Sequence, residues 1–179
     1  MVFNSICYGI YSLHRSGLVT SISLSQAPIK VIFFRNAGEL YGPQGLAPAT
    51  SGSAGTDLRA CPADGAPVVI APGERRALPA GIAIEPLVPG IAGFVYSRSG
   101  LGAVRGLTVA QGVGVIDPDY RGEITVFLLN TGLESYTVQP GERMAQLVLQ
   151  PFFTPLFEVV SGIGDTSRGA GGFGHTGIA

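Results

Sequence analysis

Two carboxylates and an aromatic ring lie within four residues in the segment Asp117-Pro118-Asp119-Tyr120. Residues 113–116 before it are mostly strand formers, and the proline ends a strand because it fixes φ and has no N–H to donate. We expect a second strand to begin at Glu123-Ile124, so that a hairpin presents Asp117 and Tyr120 at its mouth. There a carboxylate can accept a proton from water, and a ring can cover a ligand. A solvated surface turn is the alternative interpretation.

A second polar segment follows a predicted strand that ends at Tyr96. Arg98-Ser99-Gly100 brings a guanidinium, a hydroxyl and glycine-exposed N–H groups to one turn, which can hold phosphate oxygens. The segment lacks the Gly-Lys-Ser/Thr ending of a P-loop, so a plain turn remains the alternative. Gln146 is a polar side chain on a predicted strand whose neighbours are apolar. Its alternative interpretation is an outward-facing edge residue.

The C-terminal end of the chain has the composition of a flexible lid. After Gly162 it consists mainly of Gly, Ser and Thr and cannot form a core, so alone it should be mobile. A disordered tail has no need of Arg168 and Phe173. A lid that closes over a charged aromatic ligand needs both, the guanidinium for phosphate and the ring for a base. A loose tail without function is the alternative.

Composition limits the class of protein. A chain of 179 residues most simply makes one domain with a core that needs no disulfide or metal, and 27 Gly, 13 Pro and no Trp are typical of an all-β protein. Cys7 and Cys61 suit a reducing compartment, although one disulfide stays open. The net charge of −1 argues against nucleic acid as a partner. Lys30 is the only lysine; the ten arginines suit phosphate contacts or reflect codon usage.

Short β runs recur at intervals of about ten residues and are closed by Pro, Gly or Asn, which predicts a sandwich or barrel of antiparallel strands. The predicted runs are residues 30–34, 55–60, 68–70, 76–84, 91–96, 107–110, 124–130, 136–138, 144–150 and 156–160. In the run 55–60, alternation places Leu58 and Ala60 on one face and Asp57 and Arg59 on the other. Any helix is short and is expected beside residues 99–104.

Five segments, in this order, resemble the five motifs of the trimeric dUTP diphosphatases (dUTPases). They are Gly55-Thr56-Asp57-Leu58-Arg59-Ala60, Arg98-Ser99-Gly100-Leu101, Gly114-Val115-Ile116-Asp117-Pro118-Asp119-Tyr120-Arg121-Gly122, Gly141-Glu142-Arg143-Met144-Ala145-Gln146-Leu147 and Arg168-Gly169-Ala170-Gly171-Gly172-Phe173-Gly174-His175-Thr176-Gly177. The resemblance covers residues 52–177. One match could arise by chance, but five at the family's spacing displace the surface-turn and loose-tail interpretations.

The resemblance implies an all-β fold, an antiparallel jelly-roll-like barrel with at most one short helix. We expect three parts: an extension over residues 1–27, which lies outside the resemblance, the barrel over 28–161 and a Gly-rich lid over 162–179. The implied activity is hydrolysis of dUTP between the α and β phosphates to dUMP and diphosphate. This reaction keeps dUTP low and supplies dUMP for thymidylate synthesis.

The resemblance also implies a role for each motif residue. The catalytic residues would be Asp117, which orients and deprotonates the attacking water, together with Arg98 and Gln146. The implied substrate-binding residues are Arg98, Ser99, Gly100, Gln111, Gly114, Asp117, Tyr120, Gln146, Arg168, Phe173 and Gly174. Among these, Tyr120 would lie against the deoxyribose and leave no space for a 2′-OH, while the backbone around Gln111 and Gly114 would read the uracil edge. Asp57 would orient water or Arg143.

The implied cofactor is Mg²⁺, held by the substrate phosphates and waters without a direct protein ligand. The implied assembly is a homotrimer with shared sites: the first, second and fourth motifs of one subunit, the third of a neighbour and the tail of the remaining one. We expect a cytoplasmic protein with no membrane partner, because the apolar runs are broken. Residues 1–27 lack acids, which leaves organellar targeting open beside a mis-called start codon or a disordered tail.

Two departures and two alternatives accompany the resemblance. Gln111 stands where many members have Asn, which puts base affinity in question, and His175 is interpreted as a tail residue without chemistry. A dCTP deaminase would need a catalytic glutamate, for which Glu123 is the nearest candidate in a setting that does not match. The other alternative is a nucleotide-sensing β trimer that binds dUTP without turning it over.

Overall fold

The structure, a computed structural model, describes residues 27–43 and 45–172. Its strands are β1 (Ile29–Phe33), β2 (Gly55–Arg59), β3 (Val68–Ile70), β4 (Arg75–Pro79), β5 (Ile82–Pro86), β6 (Ile91–Tyr96), β7 (Leu107–Val109), β8 (Gly114–Ile116), β9 (Thr125–Asn130), β10 (Tyr136–Val138) and β11 (Arg143–Pro151). Two single-turn helices join them, α1 (Ala37–Tyr41) and α2 (Gly100–Val104), the latter a wide turn of π-helix type. Within these ranges no helix is long and apolar enough to cross a membrane.

All strand pairs are antiparallel, which confirms the predicted fold class. A four-stranded sheet has the order β2-β11-β6-β8 and a three-stranded sheet has the order β4-β9-β7, while β1 pairs with β5 and β3 with β10. Apolar side chains from these sheets form one core; its largest fully buried members include Leu58, Leu78, Ile82, Leu128 and Met144. Burying each such side chain contributes about 1.5–3 kcal/mol. This core fixes the sheets that carry the polar residues described below.

The polar turn at residues 117–124 is not the mouth of a hairpin, contrary to the sequence prediction. β8 pairs with β6 in the four-stranded sheet, whereas the next strand, β9, pairs with β4 and β7 in the three-stranded sheet. The segment between β8 and β9 therefore crosses from one sheet to the other. Local strand signals cannot distinguish these two arrangements, because both begin with a strand, a proline turn and another strand.

Three further predictions are corrected. The run at 76–84 is two strands in different sheets, because Gly81 turns the chain with φ 70° and an added Cβ would lie 2.4 Å from the Ala37 Cβ. Residues 156–160 form no strand, since no partner strand pairs with them, and Leu156 is 99% exposed. The structure has two short helices where at most one was expected, because the five residues of α1 are too few to show a helical period. The short helix expected near residues 99–104 is confirmed.

Candidate active site

Asp57, Arg98 and Arg143 form an ion cluster at one end of the four-stranded sheet. The Nε of Arg98 donates to Asp57 Oδ1 at 2.7 Å, and the Nη1 of Arg143 donates to Asp57 Oδ2 at 3.3 Å. Arg98 also donates from Nη1 to the Arg143 carbonyl oxygen at 3.2 Å. The contact expected between Asp57 and Arg143 is therefore present, and Arg98 is the closer partner. With two guanidiniums and one carboxylate, the cluster is cationic and suits phosphate oxygens.

Strand register brings these residues together. On β11, Gln146 pairs with Asp57 of β2 on one side and with Tyr96 of β6 on the other. The register between β11 and β2 shifts between Arg143 and Ala145, an irregularity of the kind that re-aims a side chain. The strand β11 is interior to its sheet, so the interpretation of Gln146 as an edge residue is wrong.

Gln146 lies against the turn that contains Arg98. Its Nε2 donates to the Ser97 carbonyl oxygen at 3.0 Å. An added Cβ on Gly55 would lie only 2.4 Å from Gln146 Oε1, so glycine at that position lets the amide side chain lie over β2. Next to it, Ser99 and Gly100 are exposed, and a side chain built on Gly100 would meet nothing within 4 Å. The turn is open to a ligand.

Asp117 and Tyr120 lie at a second, separate place, a pocket of about 300 Å³. The remaining lining residues are mostly apolar: Val115, Ile116, Ile124, Thr125 and Phe127. The Tyr120 N–H donates to the Asp117 carbonyl oxygen at 3.1 Å, and the Tyr120 hydroxyl donates to the Glu123 carbonyl oxygen at 3.1 Å. The turn thus presents a carboxylate and a ring on an apolar pocket, which suits a nucleoside.

The segment expected to read a base edge joins β7 to β8. Gly112 turns the chain there with φ 82°, and its N–H donates to the Val109 carbonyl oxygen at 3.0 Å. An added Cβ on Gly114 would lie 3.3 Å from Gln111 Nε2, so the Gln111 amide rests beside Gly114. As β8 is an edge strand of its sheet, one side of its backbone can hydrogen-bond a ligand.

Arg168 makes its hydrogen bond within the tail and not to either site. Arg168 is exposed, and its Nε donates to the Gly171 carbonyl oxygen at 2.9 Å within the tail itself. Phe173 and Gly174, which the resemblance assigns to the lid, and His175 lie outside the described residues. The structure therefore does not bring Arg168 to the Asp57 cluster.

Asp117 and the Asp57 cluster lie at different levels of β6. Gly114 pairs with Val95 and Ile116 pairs with Gly93, so Asp117 is level with Ala92. The cluster is level with Tyr96 and the following Arg98. Four to six residues at about 3.3 Å each separate the two levels by roughly 13–20 Å. One chain does not bring Asp117, the expected general base, together with the residues expected to bind phosphate.

Sequence reasoning missed Ser97 and Arg35 and considered Glu123 only for a different role, although all three support these sites. Ser97 receives the Gln146 amide on its carbonyl oxygen, and its Oγ accepts the Val109 N–H at 2.8 Å; its place directly before Arg98 was the available signal. Arg35 and Glu123 form an ion pair across 88 positions of the chain, for which sequence carries no signal. Because the Glu123 carboxylate is held by Arg35 and by the Gly81 N–H, it does not line the pocket as a deaminase base would.

The class that fits this fold and this pair of polar sites is an all-β nucleotide hydrolase. A family model described as dUTPase matches residues 44–177. The deoxyuridine 5'-triphosphate nucleotidohydrolase of Hahella chejuensis is 47% identical over 149 residues, covering 83% of this chain and 95% of the relative. The enzyme of the same name from Escherichia coli O9:H4 is 46% identical over 129 residues, covering 72% and 84%. The chain belongs to the dUTPase family, a family of hydrolases acting on dUTP.

Solved structures agree with the fold. A Staphylococcus bacteriophage 80alpha dUTPase, solved with dUpNHpp, aligns with a TM-score of 0.73 at 23% identity and covers 84% of this chain and 99% of the phage chain. A dUTPase from phage phi11 of S. aureus, in which a structural Mg(II) ion is coordinated, aligns with a TM-score of 0.66 at 20% identity, covering 77% and 99%. At this identity the likeness establishes the jelly-roll-like fold.

Proposed function

We propose that this dUTPase hydrolyses dUTP to dUMP and diphosphate at sites assembled from three chains. The observation that carries the proposal is the cationic cluster of Asp57, Arg98 and Arg143 beside Gln146, set apart from the pocket that holds Asp117. The triphosphate of a nucleotide needs a cationic environment such as the cluster, and its nucleoside needs an apolar environment such as the pocket. The identity of nearly half to relatives named for this reaction supports the substrate.

The phosphate chain binds at the cluster. Arg98, Ser99, Gly100 and Gln146 hold its oxygens, and Asp57 keeps Arg98 and Arg143 oriented toward them. Asp117 takes a proton from a water molecule while the oxygen of that water attacks the α-phosphorus. The bond from that phosphorus to the oxygen bridging to the β-phosphorus then breaks, and diphosphate leaves. The guanidiniums stabilise the negative charge that develops in this step.

The nucleoside binds in the pocket of Asp117. The Tyr120 ring lies against the deoxyribose, and the backbone around Gln111 and Gly114 pairs with the uracil edge. Cytosine exchanges a donor and an acceptor on that edge, so it would leave buried polar groups unpaired. The tail then closes with Arg168 on phosphate and Phe173 and Gly174 over the base. Exposure of the described tail up to residue 172 leaves it free to do so.

Mg²⁺ is proposed to enter with the phosphate chain. The donors around Asp57 are two guanidiniums and an amide, a set that fits phosphate oxygens and not a bare cation. In the described ranges no group of three or more His, Cys, Asp or Glu could hold a metal ion, so the phosphates and waters would supply its ligands. When bound, the ion would neutralise phosphate charge and fix the conformation of the phosphate chain of the substrate.

The proposal of a homotrimer rests on the separation of Asp117 from the Asp57 cluster along β6. Because the backbone levels of Asp117 and of the Asp57 cluster in one chain are roughly 13–20 Å apart along β6, a neighbour supplies one of them to a given substrate on this proposal. Closed rotational assemblies are common among soluble oligomers, and the number three comes from the family resemblance. The division of the chain into extension, barrel and lid, and a cytoplasmic location, stay predictions.

Diphosphate release from dUTP tests the proposal, with Asp117→Asn as the decisive variant. The amide keeps the shape but cannot accept the proton, so turnover should fall by roughly a hundredfold to ten-thousandfold while dUTP still binds. Turnover within a few-fold of the parent would remove Asp117 from its role. Tight dUTP binding by the parent without any diphosphate release would favour the sensor instead.

A further inference from the structure

Arg35 has an unusual backbone and a two-oxygen contact to the loop that carries Tyr120. It follows β1, outside the five motif segments, and is the one non-glycine residue with positive φ (51°) in the part of the chain that the structure describes. Its Nη1 donates to Glu123 Oε2 at 2.9 Å, its Nη2 contacts Glu123 Oε1, and Nη2 also donates to the Cys61 carbonyl oxygen at 3.3 Å. Such strained residues persist only where their surroundings over-determine them.

Glu123 connects this arginine to the Tyr120 ring. Its carboxylate also accepts the Gly81 N–H at 2.8 Å, so its side chain is fixed from two directions. Its carbonyl oxygen accepts the Tyr120 hydroxyl at 3.1 Å. The following residue, Ile124, donates its N–H to the Ile82 carbonyl oxygen at 2.8 Å. The Glu123 carbonyl oxygen, which accepts the Tyr120 hydroxyl, is therefore fixed by the Glu123 side chain and by the backbone hydrogen bond of Ile124.

We propose that Arg35 and Glu123 are positioning residues that hold the Tyr120 ring at the pocket and thereby help the site to reject ribose. The inference rests on the proposed function, in which Tyr120 lies against the deoxyribose. A 2′-OH is excluded only while the ring stays close to the sugar. Without the ion pair, the Glu123 carbonyl and the ring bonded to it gain freedom to move away, which makes room for a hydroxyl.

The geometry specifies the fork of an arginine. A guanidinium contacts both oxygens of one carboxylate, whereas a lysine ammonium is a point charge that cannot match this pair and the Cys61 carbonyl at once. Arg35→Lys should therefore lose most of the preference for dUTP over UTP that Arg35→Ala loses. Glu123→Gln keeps the volume and an acceptor for the Gly81 N–H, but it removes the charge that Arg35 contacts.

The test measures kcat and KM separately for dUTP and UTP in the parent and in Arg35→Ala, Arg35→Lys and Glu123→Gln. We expect the ratio of kcat/KM for dUTP to that for UTP to fall at least about tenfold, mainly through better use of UTP. Arg76→Ala is the matched control: it breaks another ion pair, to Glu74 at 2.6 Å, on β4. That variant should keep the parent ratio.

Non-additivity separates positioning from a general structural effect. In Tyr120→Phe, which lacks the hydroxyl, Arg35→Ala should change the dUTP to UTP ratio little further, because both changes act on one contact. A purely structural role would lower the melting temperature and leave this ratio unmoved. If Arg35→Ala does not fold, Glu123→Gln alone answers the question.

The outcomes distinguish this inference from the proposed function. A parent that prefers dUTP, with variants that keep the full preference, overturns the positioning role and leaves the proposed function standing. A parent that does not hydrolyse dUTP contradicts the proposed function and the inference with it.

Discussion

One carboxylate orients two arginines in the Asp57 cluster. Asp57 accepts from Arg98 and Arg143 on different oxygens, and its side chain is only 21% exposed, as against 48% for Arg143. The carboxylate and Arg98, whose side chain is 25% exposed, are thus the inner members of the cluster, and Arg143 reaches outward. Phosphate can replace water at the outward sides of the guanidiniums without displacing Asp57.

Gly122 is the residue on which the position of the Tyr120 ring depends most directly. An added Cβ there would lie 2.4 Å from the Tyr120 hydroxyl oxygen and 2.6 Å from Cζ. In Gly122→Ala we expect the ring to shift and kcat/KM for dUTP to fall by roughly tenfold to a hundredfold. Steady-state kinetics checks this. Gly52→Ala, where an added Cβ meets nothing within 4 Å, is the control; equal values in both variants would show that the ring tolerates the methyl group.

Residue types at the site were predictable from sequence, but not all of their partners were. The contact of Asp57 with Arg143, which the family resemblance implied, is present in the structure. The contact with Arg98 depends on which strands become neighbours, and Arg98 is 41 positions away from Asp57. The pair of Arg35 and Glu123 is more distant still, and neither residue has a local pattern that indicates the other.

At the scale of elements, α1 is a single turn that is held by one tyrosine. A five-residue helix is not stable alone. The Tyr41 hydroxyl donates to the Ala80 carbonyl oxygen at 3.0 Å and accepts the Arg59 N–H at 3.1 Å. This contact ties α1 to the end of β2, the strand that carries Asp57. Burial raises the pKa of Tyr41 to about 12 from its ordinary value of 10.0.

The raised pKa of Tyr41 predicts a loss of stability in alkali. The unfolded chain releases the phenol proton near pH 10 and the folded chain only near pH 12. The stabilisation is thus complete below pH 10 and is lost as pH rises toward 12; at about 1.4 kcal/mol per pH unit it amounts to roughly 2–3 kcal/mol. Denaturant unfolding from pH 9 to 12 should show a smaller loss in Tyr41→Phe. An identical decline in both proteins would contradict the assignment, and Tyr136, whose pKa is also raised to about 12, contributes equally to both.

On the proposed function, the tail contributes to ligand binding and not to the stability of the barrel. Deletion of residues 166–179 should leave the melting temperature close to that of the parent, because the described part of this segment is exposed except for the half-buried Gly171 and forms no strand. Loss of Arg168 and Phe173 should lower kcat/KM for dUTP by roughly a hundredfold or more. Removal of residues 178–179 alone, beyond the family match, is the control. A large drop in melting temperature, or normal hydrolysis, would contradict the lid.

The strands themselves were largely predictable, whereas their partners were not. Alternation and turn residues gave most strand positions, since these are local properties. The break at Gly81 was missed because apolar residues continue on both sides of it. The assignment of β8 and β9 to different sheets depends on packing across the whole barrel, which no short segment encodes.

At the scale of the whole molecule, the proposed assembly makes activity depend on contact between chains, because Asp117 and the Asp57 cluster of one chain lie apart. Mixing inactive Asp117→Asn chains with inactive Arg168→Ala chains should restore hydrolysis after dissociation and reassembly. If assembly is random, about a quarter of the sites would receive an intact Asp117 from one chain and an intact Arg168 from another. The measurement is diphosphate release from the mixture and from each variant alone.

Two results would contradict shared sites. One is a fully active parent that light scattering shows to be a monomer. The other is a mixture that recovers no activity although mass measurement shows that its subunits have exchanged.

The separation along β6 also decides how a faulty gene copy would act in a cell that makes an intact copy too. On the proposed assembly, a chain altered at Asp117 alone disables the single site to which it lends that residue. A chain altered at both Asp57 and Asp117 disables two sites of every trimer that it joins, although the number of faulty chains is the same. On this assembly, the harm caused by an allele is therefore set by whether its changes fall in the Asp57 cluster, in the Asp117 turn or in both, and a chain unable to assemble at all would be the least dominant of the three.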